Sequence, residues 1–247
     1  MSNDQETPIL FNGPMVRAIL EGRKTQTRRI VLKKRWLPGE ARHYPPEFPI
    51  HRFLRLVECP YGIPGDHLWV RESWRIASLP YDECPAIQYR ADNAIRFCDD
   101  PSDPVYGWDD YRYEAWFERM NEQLIEDCEK AGLQPRSDLD MYYTWEWDSI
   151  PTRWRPSIHM PRWASRITLE VKGVRVERVQ EISEEDARAE GCDSPDWPRF
   201  VTFPDGTRYA LFHAREGFEW TWDQMYAKRG YGWNLNPWVW VIEFRVR

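Results

Sequence analysis

Cysteine is sparse in this chain and carries no metal signature. The five cysteines (Cys59, Cys84, Cys98, Cys128 and Cys192) are odd in number and widely spaced. No CxxC pair and no Cys/His cluster occurs, which argues against a zinc site. No two His, Asp or Glu residues stand at ligand spacing on an evident element, so neither a metal nor another cofactor is expected. Long apolar runs are also missing; the longest are far too short to span a bilayer. The N-terminus is polar and lacks the apolar core of a signal peptide. There is no internal repeat and no low-complexity tract. Together these absences predict a reduced, cytoplasmic, soluble protein with no membrane partner.

What the chain does have is tryptophan and unevenly placed charge. Fifteen tryptophans in 247 residues are more than one core of this size easily absorbs, so some are candidates for pocket walls or base stacking. The net charge of −6 argues against a general nucleic-acid coat protein, but its distribution is uneven. Residues 1–60 hold eleven Lys/Arg against six Asp/Glu, and residues 153–178 hold seven against two. Residues 99–150 reverse the balance, with four against fifteen. If the two basic segments fold together they make a local anion-attracting face, suited to a small anionic ligand or a short nucleic-acid contact.

Local pattern places the elements. Residues 1–7 read as a lead-in and Pro8–Phe11 as a short strand. Met15–Leu20 makes one or two helical turns stopped by Gly22. Residues 33–64, rich in Pro, Arg and aromatics, read as a long loop. Pro64-Gly65-Asp66 turns into a strand over 67–74, and 88–91 suggests another. Tyr113, Trp116, Phe117, Met120, Leu124 and Cys128 recur at helical spacing and end at Gly132; the acidic stretch 99–150 is read as an insertion. Residues 167–179 alternate apolar and charged residues apart from Gly173, as in a long half-buried strand or a bulged hairpin around Lys172-Gly173. Ser183 caps a helix with an acidic first turn, closed by Gly191. Residues 192–212 read as an irregular loop, within a longer loop placed at about 192–215. Phe218–Lys228 reads as a helix and Trp238–Val246 as a closing strand. Strands with short helices and no regular βαβ period predict an α+β fold. They suit a small, partly closed mixed β-barrel with a mouth for a ligand, in a single domain over 1–247.

The most informative stretch is Gly22-Arg23-Lys24-Thr25-Gln26-Thr27-Arg28-Arg29. In isolation it reads as a solvated basic turn. Its context says more. The helix running into this octapeptide, the Pro64-Gly65-Asp66-His67-Leu68-Trp69-Val70-Arg71-Glu72 segment, and the strand 167–179 leading into Ser183–Gly191 and then the closing strand occur in an order that resembles the ASCH family, a branch of the PUA-like barrels. With its Trp-rich linkers and the run Arg155–Ala164, the chain resembles the larger ASCH proteins often encoded by bacteriophages and prophages. The common core covers about half of the chain. The resemblance implies binding of RNA or a modified base. A compact bacterial ASCH enzyme is an amidohydrolase that deacetylates N(4)-acetylcytidine with a lysine, a threonine and a glutamate. By similarity Lys24, Thr27 and Glu190 occupy those positions. This chain is more than twice the length of the compact enzymes.

Amide hydrolysis requires a nucleophile, a proton acceptor, an oxyanion stabiliser and a proton for the leaving amine. Thr27 can attack if a base takes its proton. Lys24 can be that base if burial or Arg28 and Arg29 lower its pKa. Glu190 can orient Lys24, bind the exocyclic nitrogen or shuttle a proton. A direct Glu190–Lys24 pair would instead make Lys24 an electrophile. A second ring of candidates comprises Arg71, Glu72 and Trp74 after the Gly-Asp turn, with His159, Arg162 and Trp163 in the basic stretch. The arginines can hold phosphate, the tryptophans can stack on a base, and His159 can titrate near neutral pH. The expected partner is a modified nucleoside or short nucleic acid, RNA before DNA. The alternatives are a non-catalytic RNA- or DNA-binding module, a ribonuclease using His159 and Lys24, and, least favoured, a structural phage protein.

Overall fold

The computed structural model describes residues 6–31, 59–78, 86–97, 110–133, 150, 152–192, 200–202, 206–210 and 213–247. Along them run β1 (Glu6–Leu10), α1 (Gly13–Leu20), β2 (Gln26–Ile30), β3 (His67–Arg71), β4 (Trp74–Ile76), β5 (Ala86–Tyr89) and β6 (Ile95–Phe97). Then come α2 (Asp110–Lys130), β7 (Thr168–Arg178), α3 (Glu184–Ala189), β8 (Phe200–Thr202), β9 (Arg208–Ala210), α4 (Ala214–Tyr226) and β10 (Trp238–Val246), with single 3-10 turns between some of them. The fold is α+β. None of the described helices is long and apolar enough to cross a membrane. The chain divides into two compact units, one of Met1–Ile9, Ala18–Trp69 and Ile167–Arg247, the other of Leu10–Arg17 and Val70–Arg166.

The first unit is built on a five-stranded sheet in the order β1-β3-β7-β10-β2. β10 runs between β7 and β2, and its Val239, Trp240, Val241, Ile242 and Phe244 are all buried. Such an unbroken apolar run marks a strand covered on both faces. Val239 and Val241 pack with Ala187 of α3 and with Phe218, Trp222 and Tyr226 of α4. The two helices are tied at their ends: Ser183 Oγ accepts from Asp186 N at 3.0 Å, and the Glu184 carboxylate accepts from Ala214 N at 2.8 Å and Arg215 N at 3.1 Å. Two N-termini are thus satisfied by side chains of one short segment. The strand predicted over 167–179 is one continuous β7. Its irregularity is a register shift opposite Glu243/Phe244, where Gly173 pairs with Glu243 and Val171 with Phe244. Lys172 is the extra residue of the bulge, and this explains why the apolar alternation changes phase there.

Three expectations are corrected. The first is the partly closed barrel. Among the described residues, β1 and β2 are the two ends of an open sheet, and the remaining strands form separate sheets, so the hydrogen-bonded ring that closure requires is not made. The second is the basic turn at 22–29. Only its first half is a turn; Gln26–Ile30 is strand β2, paired antiparallel with β10. That pairing depends on a partner more than two hundred residues away, which local composition does not reveal. The third is the irregular loop over 192–212, which contains the hairpin β8–β9. Three-residue strands are too short to show a period.

In the second unit, β4-β5-β6 form a three-stranded antiparallel sheet. Helix α2 buries Trp116, Met120, Leu124 and Cys128 at four-residue spacing, the predicted stripe. Trp116, Met120 and Leu124 pack with Trp74, Ile76, Ile87, Tyr89, Met160 and Ala164. Tyr89 Oη donates to Ala164 O at 2.9 Å, which joins the sheet to the segment after 160. The rest of the expected insertion (99–109 and 134–149), most of the loop placed at 33–64, and residues 193–199, 203–205 and 211–212 lie outside the described residues.

Gly191 stands where the backbone leaves no room for a side chain. It ends α3 with φ +87°, and a Cβ there would stand 3.0 Å from Ala18 Cβ and 3.4 Å from Lys24 Cβ. Gly191→Ala should therefore lose about 1–3 kcal/mol of stability, read as a lowered urea midpoint with an unchanged slope.

Candidate functional site

The octapeptide meets the end of α3 through a set of local constraints. Gly22, at φ +72°, ends α1; Arg23 N and Lys24 N both donate to Ala18 O at 2.9 Å. This turns the chain so that Thr25 N donates to Ala189 O at 2.9 Å. Lys24 Nζ then reaches Glu190 twice, its backbone O at 2.9 Å and Oε2 at 2.7 Å. The last carbonyls of a helix lack internal donors, and here a lysine supplies one. The Lys24 side chain is 0% exposed and that of Glu190 4%.

Strand register then builds a charged surface on one face of the sheet. Residues directly opposite one another across a sheet share a face. One row holds Arg28, Val241 and Arg175; the next holds Ile30, Val239 and Glu177; a third holds Gln26, Glu243 and Gly173. Arg28 Nη1 donates to Glu190 Oε1 at 3.2 Å, and Arg28 Nη2 donates to Asp186 Oδ2 at 2.8 Å and Glu177 Oε2 at 3.1 Å. Arg175 pairs with Asp186 Oδ2 at 3.1 Å and also with Glu177 and Glu243. Gln26 Nε2 donates to Asp186 O at 2.9 Å. The cations Lys24, Arg28 and Arg175 thus meet the carboxylates of Glu177, Asp186, Glu190 and Glu243. The network runs from the fully buried Lys24 to the half-exposed Glu243. Burial would raise the Asp186 carboxyl, but the Gln26 amide and the guanidinium groups of Arg28 and Arg175 outweigh it and hold the group below its ordinary value. Burial would lower the Arg175 guanidinium; contact with Glu177, and the charges of Asp186 and Glu243, raise it instead.

Thr27 is buried but is not part of this network. It pairs with Ile242 in the row between those of Gln26 and Arg28. In an extended strand it therefore presents its side chain to the opposite face of the sheet. Arg29, paired with Trp240, lies on that opposite face too. Of the three residues placed by resemblance, the structure joins Lys24 and Glu190 and sets Thr27 apart. Lys24 Nζ donates to both a carboxylate oxygen and a carbonyl, the direct Glu190–Lys24 pair that is one of the two arrangements the sequence leaves open. The sequence reading missed Arg175, Glu177, Asp186 and Glu243. The charged positions alternating along β7 were the available signal for the first two.

The remaining candidates belong to the second unit. Trp74, His159 and Trp163 line one cleft with Trp116, Arg119 and Arg153. Arg71 Nη1 donates to Ile158 O at 3.1 Å. Arg162 sits in a 3-10 turn over Arg162–Ala164 and does not line that cleft. Glu72 is buried, with Arg166 Nε and Nη2 at 2.9 and 3.0 Å from its two oxygens. The same guanidinium grips Asp92 at 2.9 and 3.0 Å and lies over the Tyr89 ring at 4.0 Å. Burial raises the Glu72 carboxyl, and the Arg166 contact does not cancel it; in Asp92 burial is outweighed by Arg166 and the Ala94 N–H, and the group falls. Glu72 therefore holds the second unit's structure, and its oxygens are already engaged. Among the described residues no cluster of three His, Cys, Asp or Glu is placed to hold a metal.

No family model matches this chain, and no curated protein or solved structure matches it.

Two measurements test the network. Glu190→Ala leaves two buried cations short of a partner and should cost about 3–5 kcal/mol in urea unfolding, with Glu190→Gln costing less. Asp186 is depressed in the fold, so its contribution is present above the unfolded value of 3.8 and disappears as the pH falls through the lower folded value. Asp186→Asn should therefore lose less stability than the parent between about pH 5 and pH 2. Glu72, whose value is raised, acts in the opposite sense: its burial penalises the fold as the pH rises above 4.5.

Proposed function

We propose that this chain is an ASCH-type, PUA-like protein that recognises a modified nucleoside, free or in a short RNA, and hydrolyses the exocyclic amide of an N-acylated cytosine such as N(4)-acetylcytidine. The observation that carries this reading is the buried contact between Lys24 and Glu190, residues 166 positions apart. Its support from the fold is the order of α1, the octapeptide leading into β2, then β7, α3 ending at Glu190, and β10. Of the groups that amide hydrolysis requires, the Lys24 ammonium suits the electrophile that stabilises the developing oxyanion. Glu190 positions that ammonium and is the nearest carboxylate for moving a proton. The step is a hydrolysis: an oxygen nucleophile adds to the acyl carbon, the C–N bond breaks, the exocyclic nitrogen takes a proton, and a carboxylate and cytidine result. Because the Lys24 side chain is fully buried, a substrate reaches it only with a rearrangement around Glu190.

The placement of Thr27 favours a second reading, a binding module without catalysis. Its hydroxyl lies on the other face of β2 from Gln26 and Arg28, and Glu190 is already neutralised by Lys24 and Arg28.

Purified protein incubated with N(4)-acetylcytidine and related N-acyl cytosines, followed by mass spectrometry, separates the two. The amidohydrolase reading expects free cytidine. It expects a loss of about 10²–10³-fold in turnover in Lys24→Ala and Glu190→Gln, with circular dichroism unchanged. Thr27→Ala should abolish turnover if Thr27 is the nucleophile, and leave it within a few-fold if water is. No turnover by the parent chain together with retained RNA or nucleoside binding establishes the module.

A further inference from the structure

We propose that the second unit carries a separate site for a nucleoside phosphate, in the cleft of about 1030 Å³ lined by α2, the 153–163 segment and Trp74. Its polar lining groups are Arg119, Gln123, Arg153, Arg155, His159 and the indoles of Trp74, Trp116, Trp154 and Trp163; no carboxylate is among the described residues that line it. Among the described residues, Asp127 takes Arg153 Nε at 3.2 Å and Arg155 Nη2 at 2.9 Å. One carboxylate thus serves two guanidinium groups. Arg119 is exposed on α2 and has no ion pair among the described residues. Glu118 and Glu122, also exposed on α2, do not line the cleft.

Unmet donors point the same way. Trp74 is 96% buried, yet its Nε1 has no acceptor among the described residues, and neither does the buried Nη1 of Arg155, whose guanidinium lies 5.3 Å over the Trp74 ring. Buried N–H groups are almost always paired in folded proteins, so two adjacent orphan donors mark where an acceptor-rich ligand fits. A nucleobase carbonyl or a phosphate oxygen provides such acceptors.

Aromatic walls select a planar partner. Trp163 packs edge-on against Trp116 with centroids at 5.0 Å, and against Trp74 at 5.7 Å. Trp154 lines the same cleft under the Arg75 guanidinium at 4.5 Å. Base stacking on indole is tolerant of sequence, and guanidinium groups hold phosphate through paired N–H bonds. Tryptophan walls and several arginines, with no carboxylate among the described lining residues, match a nucleotide better than an uncharged nucleoside or an inorganic anion. The site lies wholly within the second unit and does not involve Lys24 or Glu190.

Isothermal titration calorimetry on the full chain tests this, with the four ribonucleoside 5′-monophosphates, the matching nucleosides, inorganic phosphate, phosphotyrosine and a 5′-phosphorylated tetraribonucleotide. The expected result is nucleotide binding about tenfold or more tighter than nucleoside or inorganic phosphate. Arg119→Glu, a surface change, should weaken it about tenfold, and Trp74→Phe several-fold, by removing the orphan N–H while keeping an aromatic ring. Tighter binding of the tetranucleotide than of the mononucleotides places the natural ligand at an RNA end; the reverse points to a free nucleotide. The proposal is overturned if no nucleotide binds at millimolar concentration, if phosphotyrosine binds tightest, or if neither substitution changes the affinity in correctly folded protein. Nucleotide binding without deacylation leaves it standing, and deacylation without nucleotide binding sinks it alone.

Discussion

Two cations withdrawn from water, the Lys24 ammonium and the Arg28 guanidinium, set the terms for the first unit. Each has a fully buried side chain, and a buried charge is tolerated only when paired and hydrogen-bonded. Glu190 supplies a carboxylate oxygen to each of them, and its backbone carbonyl to Lys24 as well. For this to happen α3 must end where it does, Gly191 must take its left-handed conformation, and β2 must hold one register against β10. A shift of one residue in β2 would send Arg28 to the opposite face and bring Thr27 into its place. The ion cluster is therefore less a source of net stability than a condition that fixes which strand alignment is acceptable.

The two units use arginine in different ways. In the first, Arg28 and Arg175 are engaged by carboxylates of β7, α3 and β10. In the second, Arg166 is engaged likewise by Glu72 and Asp92, but Arg119, Arg153 and Arg155 surround a cleft whose walls are indole rings. Asp127, buried in α2, accounts for part of that charge and no more. A closed polar network suits positioning of a few atoms. An arginine-lined aromatic cleft suits capture of a planar anion. The chain holds both, each inside its own unit.

Much of the secondary structure was legible in the residues. The bounds of β10, the span of β7, the serine cap of α3 and the apolar stripe of α2 follow from period and capping, which are local properties. What was not legible depended on distant partners. Gln26–Ile30 is a strand because β10 lies beside it; the octapeptide has no strand period of its own. The β8–β9 hairpin was too short to leave one. An open sheet in place of a closed barrel is decided by which edges pair, and no window of sequence contains both edges.

The candidate site divides in the same way. The resemblance nominated Lys24, Thr27 and Glu190 together, and the residues offered Arg71, Glu72, Trp74, His159, Arg162 and Trp163 as a second ring around them, because chemistry-bearing side chains are visible one at a time. The structure keeps only the Lys24–Glu190 pair together and puts Trp74, His159 and Trp163 on a cleft of the other unit. The face on which each side chain emerges is not visible in this way. Lys24 and Thr27 were placed together by similarity, yet the pleat of β2 directs Thr27 away from the side shared by Gln26 and Arg28. The sequence determined the inventory of charges, caps and aromatic rings. Only the tertiary structure decided which of them share a face, because strand register and helix ends are set by packing and by the pairing of buried charge across the whole chain.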